Sequence, residues 1–223
     1  MEPLIQLTRD KTIVRGSKEN LASLRAAFLT QHWLRLPQFA SPDILRLIQN
    51  GLSDDIFQLR IHEGIARELA TGPDAGWSLL TVLFNDLALF ETIREITGCQ
   101  EIQCFTGRIY RMNPGTDHYD AWHDDLGGHR LVAMSLNLAE EPHQGGVLQI
   151  RDRGTRQILA EVDNTTYGDA IIFDLSPELQ HRVTSVVGAV PRTAFAGWFR
   201  SYPSIRQLFT GASAILSLIF ATL

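Results

Sequence analysis

Residues 119–125 read Tyr-Asp-Ala-Trp-His-Asp-Asp and carry the strongest chemical signal in the chain. In an extended strand, side chains two residues apart point to the same face, so His123 and Asp125 can bind one ion together while Asp124 points away. A histidine and a carboxylate held in this way make half of a metal site. The spacing therefore calls for a second imidazole elsewhere in the sequence.

His181 is the histidine that best completes this set. It lies at the mouth of a predicted strand, 183–187, which a glycine-containing turn joins to a further strand opened by Arg192. Two imidazoles and one carboxylate form the facial set that leaves open positions on a non-haem Fe(II) ion. The predicted hairpin folds Arg192 back toward His181, where its guanidinium could hold a dicarboxylate through two charge-assisted hydrogen bonds. Such an arrangement suits 2-oxoglutarate, with its keto acid end on iron and its far carboxylate on Arg192.

The hydrophobic pattern changes near Gly98. Before it, from residue 20 onward, apolar residues recur mainly at helical spacing, which predicts a mostly helical front section that includes one long helix from about Ser78 to Gly98. Beyond it, short runs rich in Val, Ile and aromatic residues predict six strands, over 102–112, 131–138, 146–150, 170–173, 183–187 and 193–201. Regularly spaced strands of this kind are typical of a sandwich or barrel.

The last seventeen residues, 207–223, contain no charged side chain. Thr210, Ser213 and Ser217 share one face of a helix drawn over this segment, and most of the large apolar residues share the opposite face. The pattern favours a helix that docks on the fold or associates with a second copy in a homodimer. Membrane attachment and a disordered end remain alternatives, since a membrane-spanning helix needs about 20 apolar residues.

Composition limits the classes of function. The 223 residues suit a single domain, with 1–98 as a helical support region, 99–203 as the β core and 204–223 as the apolar helix. Twenty Lys and Arg against twenty-five Asp and Glu give a net charge of −5, which argues against nucleic acid as a partner. Two cysteines, Cys99 and Cys104, have the wrong spacing for a metal or redox motif. Without a secretory signal at the start, we expect reduced thiols and a cytoplasmic location.

Residues from about 104 to 199 resemble the double-stranded β-helix core of the Fe(II)- and 2-oxoglutarate-dependent dioxygenases, in particular the prolyl 4-hydroxylase-like branch. Six matches occur in order over this stretch. They are Tyr110, the HxD motif at His123-Asp124-Asp125, the GGxL turn at Gly145-Gly146-Val147-Leu148, Gly168-Asp169, the HxVxxV motif from His181 to Val186, and Arg192. Ser185 departs from the pattern, because the family often has proline there.

The resemblance implies an α+β protein with a jelly-roll core and a mostly helical N-terminal section. It implies Fe(II) held by His123, Asp125 and His181, with 2-oxoglutarate held by Arg192 and Tyr110 and with O2 as the second co-substrate. The implied reaction hydroxylates a C–H bond of a peptidyl, amino-acid-like or biosynthetic small-molecule substrate, and it releases succinate and CO2. Because Asp125 is present, the resemblance implies hydroxylation rather than halogenation.

Residues near the motifs are candidate substrate contacts, with a structural alternative for each. Trp122 and Trp198 adjoin motif strands and could wall the pocket, or they could serve core packing. Arginines on or beside strands near the pocket could bind an anionic substrate, namely Arg108, Arg111, Arg130 and Arg151. Arg130 and Arg151 are the better candidates because they flank the metal strand and the glycine turn, although solvated strand edges explain all four nearly as well. His118, His129 and His143 lack partners at ligand spacing and are interpreted as solvated loop residues.

Two other classes of function stay open at this point. A cupin-like metal-dependent isomerase would share the barrel and the metal ligands but would not consume 2-oxoglutarate. A non-catalytic β-barrel interaction module would share only the scaffold. Release of succinate coupled to substrate would exclude both of these alternatives.

Overall fold

The computed structural model describes residues 2–203 and contains four α-helices. They are α1 (Lys18–Gln31), α2 (Pro42–Gln49), α3 (Ala75–Leu83) and α4 (Leu87–Thr97). The strands are β1 (Ile5–Leu7), β2 (Thr12–Val14), β3 (Trp33–Leu36), β4 (Phe57–His62), β5 (Ala66–Thr71), β6 (Cys104–Met112), β7 (Tyr119–Asp120), β8 (Arg130–Asn137), β9 (Gln144–Gly145), β10 (Leu148–Asp152), β11 (Ile158–Val162), β12 (Ala170–Asp174), β13 (Leu179–Val183), β14 (Val186–Val187) and β15 (Arg192–Arg200).

Most strands belong to two antiparallel sheets. The large sheet has the order β3-β12-β8-β15-β6-β5-β4, with β7 paired to β5, and the small sheet has the order β11-β10-β13. A separate two-stranded pair joins β14 to β9. This curled antiparallel core is consistent with the predicted jelly roll, and each of the six strands predicted beyond Gly98 corresponds to observed strand structure.

The prediction of a mostly helical front section is correct only in part, because all four described helices lie there but strands lie between them. Five strands precede Gly98, and three of them, β3, β4 and β5, extend the large sheet at its two edges. The strand β5 alternates buried and partly exposed residues, as expected for a strand with one covered face. These strands are short and lie between helices, so helical periodicity dominated the sequence pattern.

The predicted long helix from Ser78 to Gly98 is two helices. The chain leaves the helical path after Leu83, and the Asp86 side chain caps the new helix by accepting a hydrogen bond from the Ala88 amide. Both helices bury apolar residues in the same core, so the apolar spacing runs through the break. The predicted stop at Gly98 is confirmed, since this residue adopts a left-handed φ of 81°.

The main hydrophobic core fills the space between the helices and one face of the large sheet. Four fully buried phenylalanines connect the layers, and their ring centroids lie 4.8 to 6.2 Å from a neighbouring ring. They are Phe84, Phe90, Phe105 and Phe199. Burial of each such side chain contributes about 1.5–3 kcal/mol, so this layer fixes the large sheet against the helices.

The opposite face of the large sheet packs against the small sheet. Ile171 and Phe173 of β12 contact Leu148 and Ile150 of β10 in a second apolar cluster. Strand alternation separates the two faces: in β15, Phe195 packs toward the helices, while Arg192, Ala196 and Trp198 line the space between the sheets. This inner space holds the candidate site.

The apolar helix predicted for 204–223 lies outside the described residues, so its docking, self-association or membrane contact stays a prediction. Within residues 2–203, no helix is both long enough and apolar enough to cross a bilayer. Cys99 and Cys104 are both free thiols, with Cys104 buried.

Candidate active site

Backbone hydrogen bonds hold the two histidines of the candidate metal site next to each other. The His123 amide donates to the carbonyl of His181 at 3.0 Å, and the His181 amide donates to the carbonyl of His123 at 2.9 Å. This single antiparallel bridge attaches the 121–125 segment to the edge of the small sheet at β13. The imidazole rings consequently lie side by side, with centroids 4.3 Å apart.

Asp125 reaches the same point by a different geometry from the predicted one. The segment after His123 is not a strand, and Asp125 has a left-handed backbone with a φ of 58°. This turn brings the Asp125 carboxylate back toward the imidazoles. Asp124 points away, as predicted, and its carboxylate lies 3.0 Å from the Arg153 guanidinium.

Three ligand atoms converge as a result. The Nε2 atoms of His123 and His181 each lie 3.4 Å from Oδ2 of Asp125, and the ligand atoms of the three residues all lie within 4.8 Å of one another. The His123 Nδ1 lies 2.7 Å from the Ala121 carbonyl, so Nδ1 donates its proton there and Nε2 faces the site. Two imidazoles and one carboxylate with this convergence fit a ferrous ion.

Hydrogen bonds to both of its oxygens hold the Asp125 carboxylate in place. Its Oδ1 accepts from the Arg130 guanidinium at 2.5 Å, and its Oδ2 accepts from the Trp198 indole at 2.8 Å. The Asp120 carboxylate supports the other side, since it accepts from the Val183 amide at 2.9 Å and lies 3.5 Å from His123 Nδ1. These contacts orient the ligands in the way that outer hydrogen bonds orient metal ligands in general.

The carboxylates make the site favourable for positive charge. Burial lowers the pKa of His123, but the hydrogen bond to Asp125 and the charge of Asp120 outweigh it and raise that pKa to about 9. Burial raises the pKa of Asp120 to about 6. For Asp125, burial opposes ionisation, yet the two histidines hold its pKa well below the usual range. Burial lowers the pKa of His181, which favours the neutral imidazole that a metal requires.

Arg192 is buried in the large sheet and faces the same inner space. Its Nη1 donates to the Tyr110 hydroxyl, and its Nη2 donates to the Ser135 hydroxyl at 3.2 Å. Burial raises the pKa of Tyr110, so the phenol stays neutral beside the guanidinium. The predicted hairpin between the strands of His181 and Arg192 is wrong, because β13 pairs with β10 while β15 pairs with β6 and β8. The two residues belong to different sheets that enclose one cavity.

The glycine turn supports Arg192. Gly145 and Gly146 have φ values of 70° and 66°, which confirms the predicted need for unusual backbone angles. A Cβ atom on Gly146 would lie 2.6 Å from Cδ of Arg192. The second glycine therefore leaves room for the arginine stem. Nearby His143 is buried, with Nδ1 3.0 Å from the Gly145 carbonyl, so its interpretation as a solvated loop residue was wrong.

One cavity contains most of the residues that the sequence predicted. Its lining includes the predicted residues His123, Asp125, His181, Arg192, Tyr110, Arg130 and Trp198. Trp122 and Arg151 are not part of the lining, and they instead stack on each other with the guanidinium carbon 4.1 Å from the ring centroid. Their predicted role as substrate contacts has no support from this placement.

The front section supplies lining residues that sequence reasoning missed. Arg60 and His62 of β4 and Glu68 of β5 face the cavity, beside Arg108 of β6. The alternation of β5 was the only sequence signal for this strand, and nothing in it indicates that β5 pairs with β6 rather than another strand. Asp120 belongs to the quoted 119–125 segment, but the predicted register left it without a role.

Comparison with known proteins supports an oxygenase core. Residues 107–200 match the sequence model of the 2OG-Fe(II) oxygenase superfamily. No curated protein matches the chain by sequence.

Solved structures share the fold at low sequence identity. A prolyl-4-hydroxylase from Pseudomonas putida is 19% identical, with a TM-score of 0.59 over 81% of this chain and 98% of that one. A prolyl hydroxylase in complex with a hypoxia inducible factor peptide fragment, from Trichoplax adhaerens, is 15% identical, with a TM-score of 0.57 over 82% and 90% of the two chains. A non-heme alpha-ketoglutarate-dependent epimerase from nogalamycin biosynthesis is 11% identical, with a TM-score of 0.62 over 82% and 84%.

The match and the geometry coincide on one region of the chain. Residues 107–200 contain the three convergent ligand residues, Arg192 and the glycine turn. The family implies Fe(II), 2-oxoglutarate and O2 for an enzyme of this kind. The sequence match to the 2OG-Fe(II) oxygenase superfamily therefore spans the part of this chain that contains the candidate site.

Proposed function

We propose that this chain is a hydroxylase that uses Fe(II), 2-oxoglutarate and O2 to oxidise a C–H bond of its substrate. The observation that carries the proposal is the placement of a two-histidine, one-carboxylate set and a buried arginine in one cavity. His123, Asp125 and His181 would hold Fe(II). Arg192 and Tyr110 would hold the far carboxylate of 2-oxoglutarate, with Ser135 as a further hydrogen-bonding group.

The bound ion and its co-substrates supply an oxidant strong enough for an unactivated C–H bond. In the overall reaction one oxygen atom of O2 enters the substrate as hydroxyl, and the other enters succinate as 2-oxoglutarate loses CO2. The chain positions the reactants and excludes competing reactions. Arg130 and Trp198 fix the Asp125 carboxylate by hydrogen bonds to its two oxygens, so Oδ2 would stay beside the imidazoles as a ligand of the ion.

Arg192 supplies the positive charge that the co-substrate needs. Fe(II) with one carboxylate ligand retains a charge of about +1, so a dianionic co-substrate requires a further cation. The arginine is 4% exposed and is therefore shielded from water, which strengthens its interaction with a carboxylate. Its hydrogen bonds to Tyr110 and Ser135 hold the guanidinium at a fixed position in the cavity.

The substrate falls within peptides, amino-acid-like molecules and biosynthetic small molecules. The fold neighbours include both a peptide complex and a biosynthetic enzyme, since one is in complex with a peptide fragment and another is an epimerase from nogalamycin biosynthesis. Fold similarity does not transfer a substrate between such proteins. Product mass separates the outcomes: hydroxylation adds one oxygen atom, whereas epimerisation leaves the mass unchanged.

An anaerobic titration tests the cofactor assignment. Fe(II) and 2-oxoglutarate added to the protein should produce a charge-transfer absorption band, because the keto acid would chelate the ion. In air, succinate formation should depend on both additions. A metal-dependent isomerase would show neither the band nor succinate, and a non-catalytic module would also fail to bind the ion.

A further inference from the structure

The substrate side of the cavity is rich in arginine. We propose that the substrate of this enzyme carries an anionic group, a carboxylate or a phosphate, which is bound by Arg108 together with Arg60. This inference rests on the proposed function, because it assigns the second ligand of the same cavity.

A buried acid holds the two arginines in place. Oε1 of Glu68 accepts hydrogen bonds from Nε of Arg108 at 2.7 Å and from Nη1 of Arg60 at 3.1 Å. Glu68 is 4% exposed, whereas the arginine side chains are 27% and 44% exposed and open toward the cavity. One carboxylate neutralises one guanidinium, so the trio keeps a positive charge. Since Arg108 uses only Nε here, both of its Nη groups lack a hydrogen-bond partner among residues 2–203.

Aromatic rings restrict where the Arg108 guanidinium can point. Its central carbon lies 5.7 Å from the ring centroids of both Tyr110 and Trp198. Trp198 also stacks with Arg130 at 3.7 Å and donates its indole hydrogen bond to Asp125. Arg108 therefore lies in the part of the cavity walled by Trp198, whose indole is hydrogen-bonded to the candidate ligand Asp125. A guanidinium fixed by an acid and two rings loses little entropy on binding a carboxylate or phosphate.

This position is distinct from the place proposed for 2-oxoglutarate. Arg108 pairs across the sheet with Ala196, four residues along β15 from Arg192. Four residues of a strand separate the two backbone positions by roughly 13 Å, while both side chains lie beside Tyr110, whose ring centroid is 5.7 Å from the Arg108 guanidinium carbon and 5.0 Å from that of Arg192. The two guanidinium groups have separate hydrogen-bond partners, Glu68 for Arg108 and Tyr110 with Ser135 for Arg192. A 2-oxoglutarate molecule on Arg192 therefore leaves the Nη groups of Arg108 available.

The charges of the whole cavity favour an anion. Its lining contains four arginines and three acidic residues, the acids being Glu68, Asp120 and Asp125, and it also contains His62 near Arg60. Fe(II) and dianionic 2-oxoglutarate cancel each other, so the loaded cavity retains an excess of one positive charge. A partly desolvated positive charge is stabilised by a bound anion.

A binding experiment on the loaded enzyme tests this inference. Protein with Fe(II) and saturating 2-oxoglutarate is kept anaerobic at low ionic strength and titrated in a calorimeter with N-acetylglycine, inorganic phosphate and the neutral isostere N-acetylglycinamide. We expect at least one anion to bind tenfold or more tightly than the amide. The tighter anion assigns the group as carboxylate or phosphate.

Variants localise the bound anion. Arg108→Ala should lower the affinity for the anion tenfold or more. Arg108→Lys should have an affinity between those of the unchanged protein and Arg108→Ala, because lysine keeps the charge and loses the planar guanidinium. Arg46→Ala removes the same charge from an exposed site on α2 and should leave binding unchanged. The charge-transfer band, recorded first, verifies that each variant is folded and loaded.

Several results would overturn the inference. They are equal binding of anion and amide, absence of anion binding, full binding by Arg108→Ala, and displacement of 2-oxoglutarate by the anion. Failure of the proposed function is a separate result, because it would appear as a missing charge-transfer band before any probe is added.

Discussion

Asp124 and Asp125 show how neighbouring identical residues acquire different roles. The left-handed turn at Asp125 directs its carboxylate to the two imidazoles, while Asp124 forms a half-exposed ion pair with Arg153. The sequence predicted which of the two carboxylates lies beside the two imidazoles, but the prediction was based on a strand that the structure does not contain. The spacing of the HxD motif was informative, and the backbone conformation behind it could not be read from periodicity.

This pair gives a matched comparison. Asp125→Ala should abolish Fe(II) binding, because it removes the anionic ligand and leaves the Arg130 charge without its partner. Asp124→Ala should retain binding and lose about 1 kcal/mol of stability or less, as exposed ion pairs contribute little. Metal content after anaerobic loading and desalting measures the difference, and similar losses in both variants would contradict the assignment.

Separate residues should control the ion and the co-substrate. His181→Ala is expected to lose Fe(II), and with it any dependence on 2-oxoglutarate. Arg192→Ala should keep Fe(II) and require more than tenfold more 2-oxoglutarate, because hydrogen bonds to charged groups contribute about 1.5–3 kcal/mol each. Titrations that follow the charge-transfer band report both affinities. An unchanged requirement in Arg192→Ala would place the co-substrate elsewhere.

A substitution at Gly146 tests the position of Arg192 by steric contact, without changing any charge. In Gly146→Ala the new methyl group would lie 2.6 Å from the Arg192 stem and would occupy a left-handed backbone position. Affinity for 2-oxoglutarate should fall about tenfold while Fe(II) binding persists. Gly72→Ala is the control, because a Cβ there meets no atom within 4 Å. Normal affinity in both variants would mean that Arg192 is not held by this turn.

At the scale of elements, strands were easier to predict where several followed one another. The run beyond Gly98 alternates apolar residues with turn residues, and all six predicted strands have counterparts there. In the front section, β4 and β5 form a single hairpin among helices, and the pairing of β5 with β6 depends on contacts distant in sequence. The broken helix has a related cause. Asn85, between α3 and α4, bonds both backbone groups of Phe105, which no local pattern encodes.

The helix layer should be essential for stability but remote from the chemistry. Phe84 is fully buried and contacts the rings of Phe39, Phe105 and Phe195. Phe84→Ala should lower the free energy of unfolding by about 3–5 kcal/mol, through lost transfer energy and the cavity left behind. Urea denaturation measures this change. The control Leu87→Ala, at a side chain that is 63% exposed, should stay within about 0.5 kcal/mol.

At the scale of the molecule, the site joins the two sheets. His181 belongs to the small sheet and Arg192 to the large one, so ligands that contact both should hold the layers together. The sequence predicted most of the residues that meet in the cavity, because the order of the motifs along the chain does not depend on how the strands pair. It could not predict the walls contributed by β4 and β5, whose residues carry no motif.

Ligand binding should accordingly raise thermal stability. A ligand at 100 times its Kd stabilises the folded state by about 2.7 kcal/mol, which corresponds to about 5–10 °C in Tm for a protein of this size. Thermal melts should show one increment with Fe(II) and a second with 2-oxoglutarate. Arg192→Ala should keep the first increment and lose the second. A chelator should remove both, and an unchanged Tm with either ligand would contradict the site.

The backbone hydrogen bonds between His123 and His181 hold the cradle, the ligand set of His123, Asp125 and His181, in position before any ion binds. A cradle assembled in advance captures cations with little loss of chain entropy, but it has few means of rejecting the wrong one. Copper and zinc bind nitrogen and oxygen donors more strongly than ferrous iron does. Mismetallation is therefore an inherent hazard of this architecture, and the occupant in a cell is decided by which cation the surroundings supply.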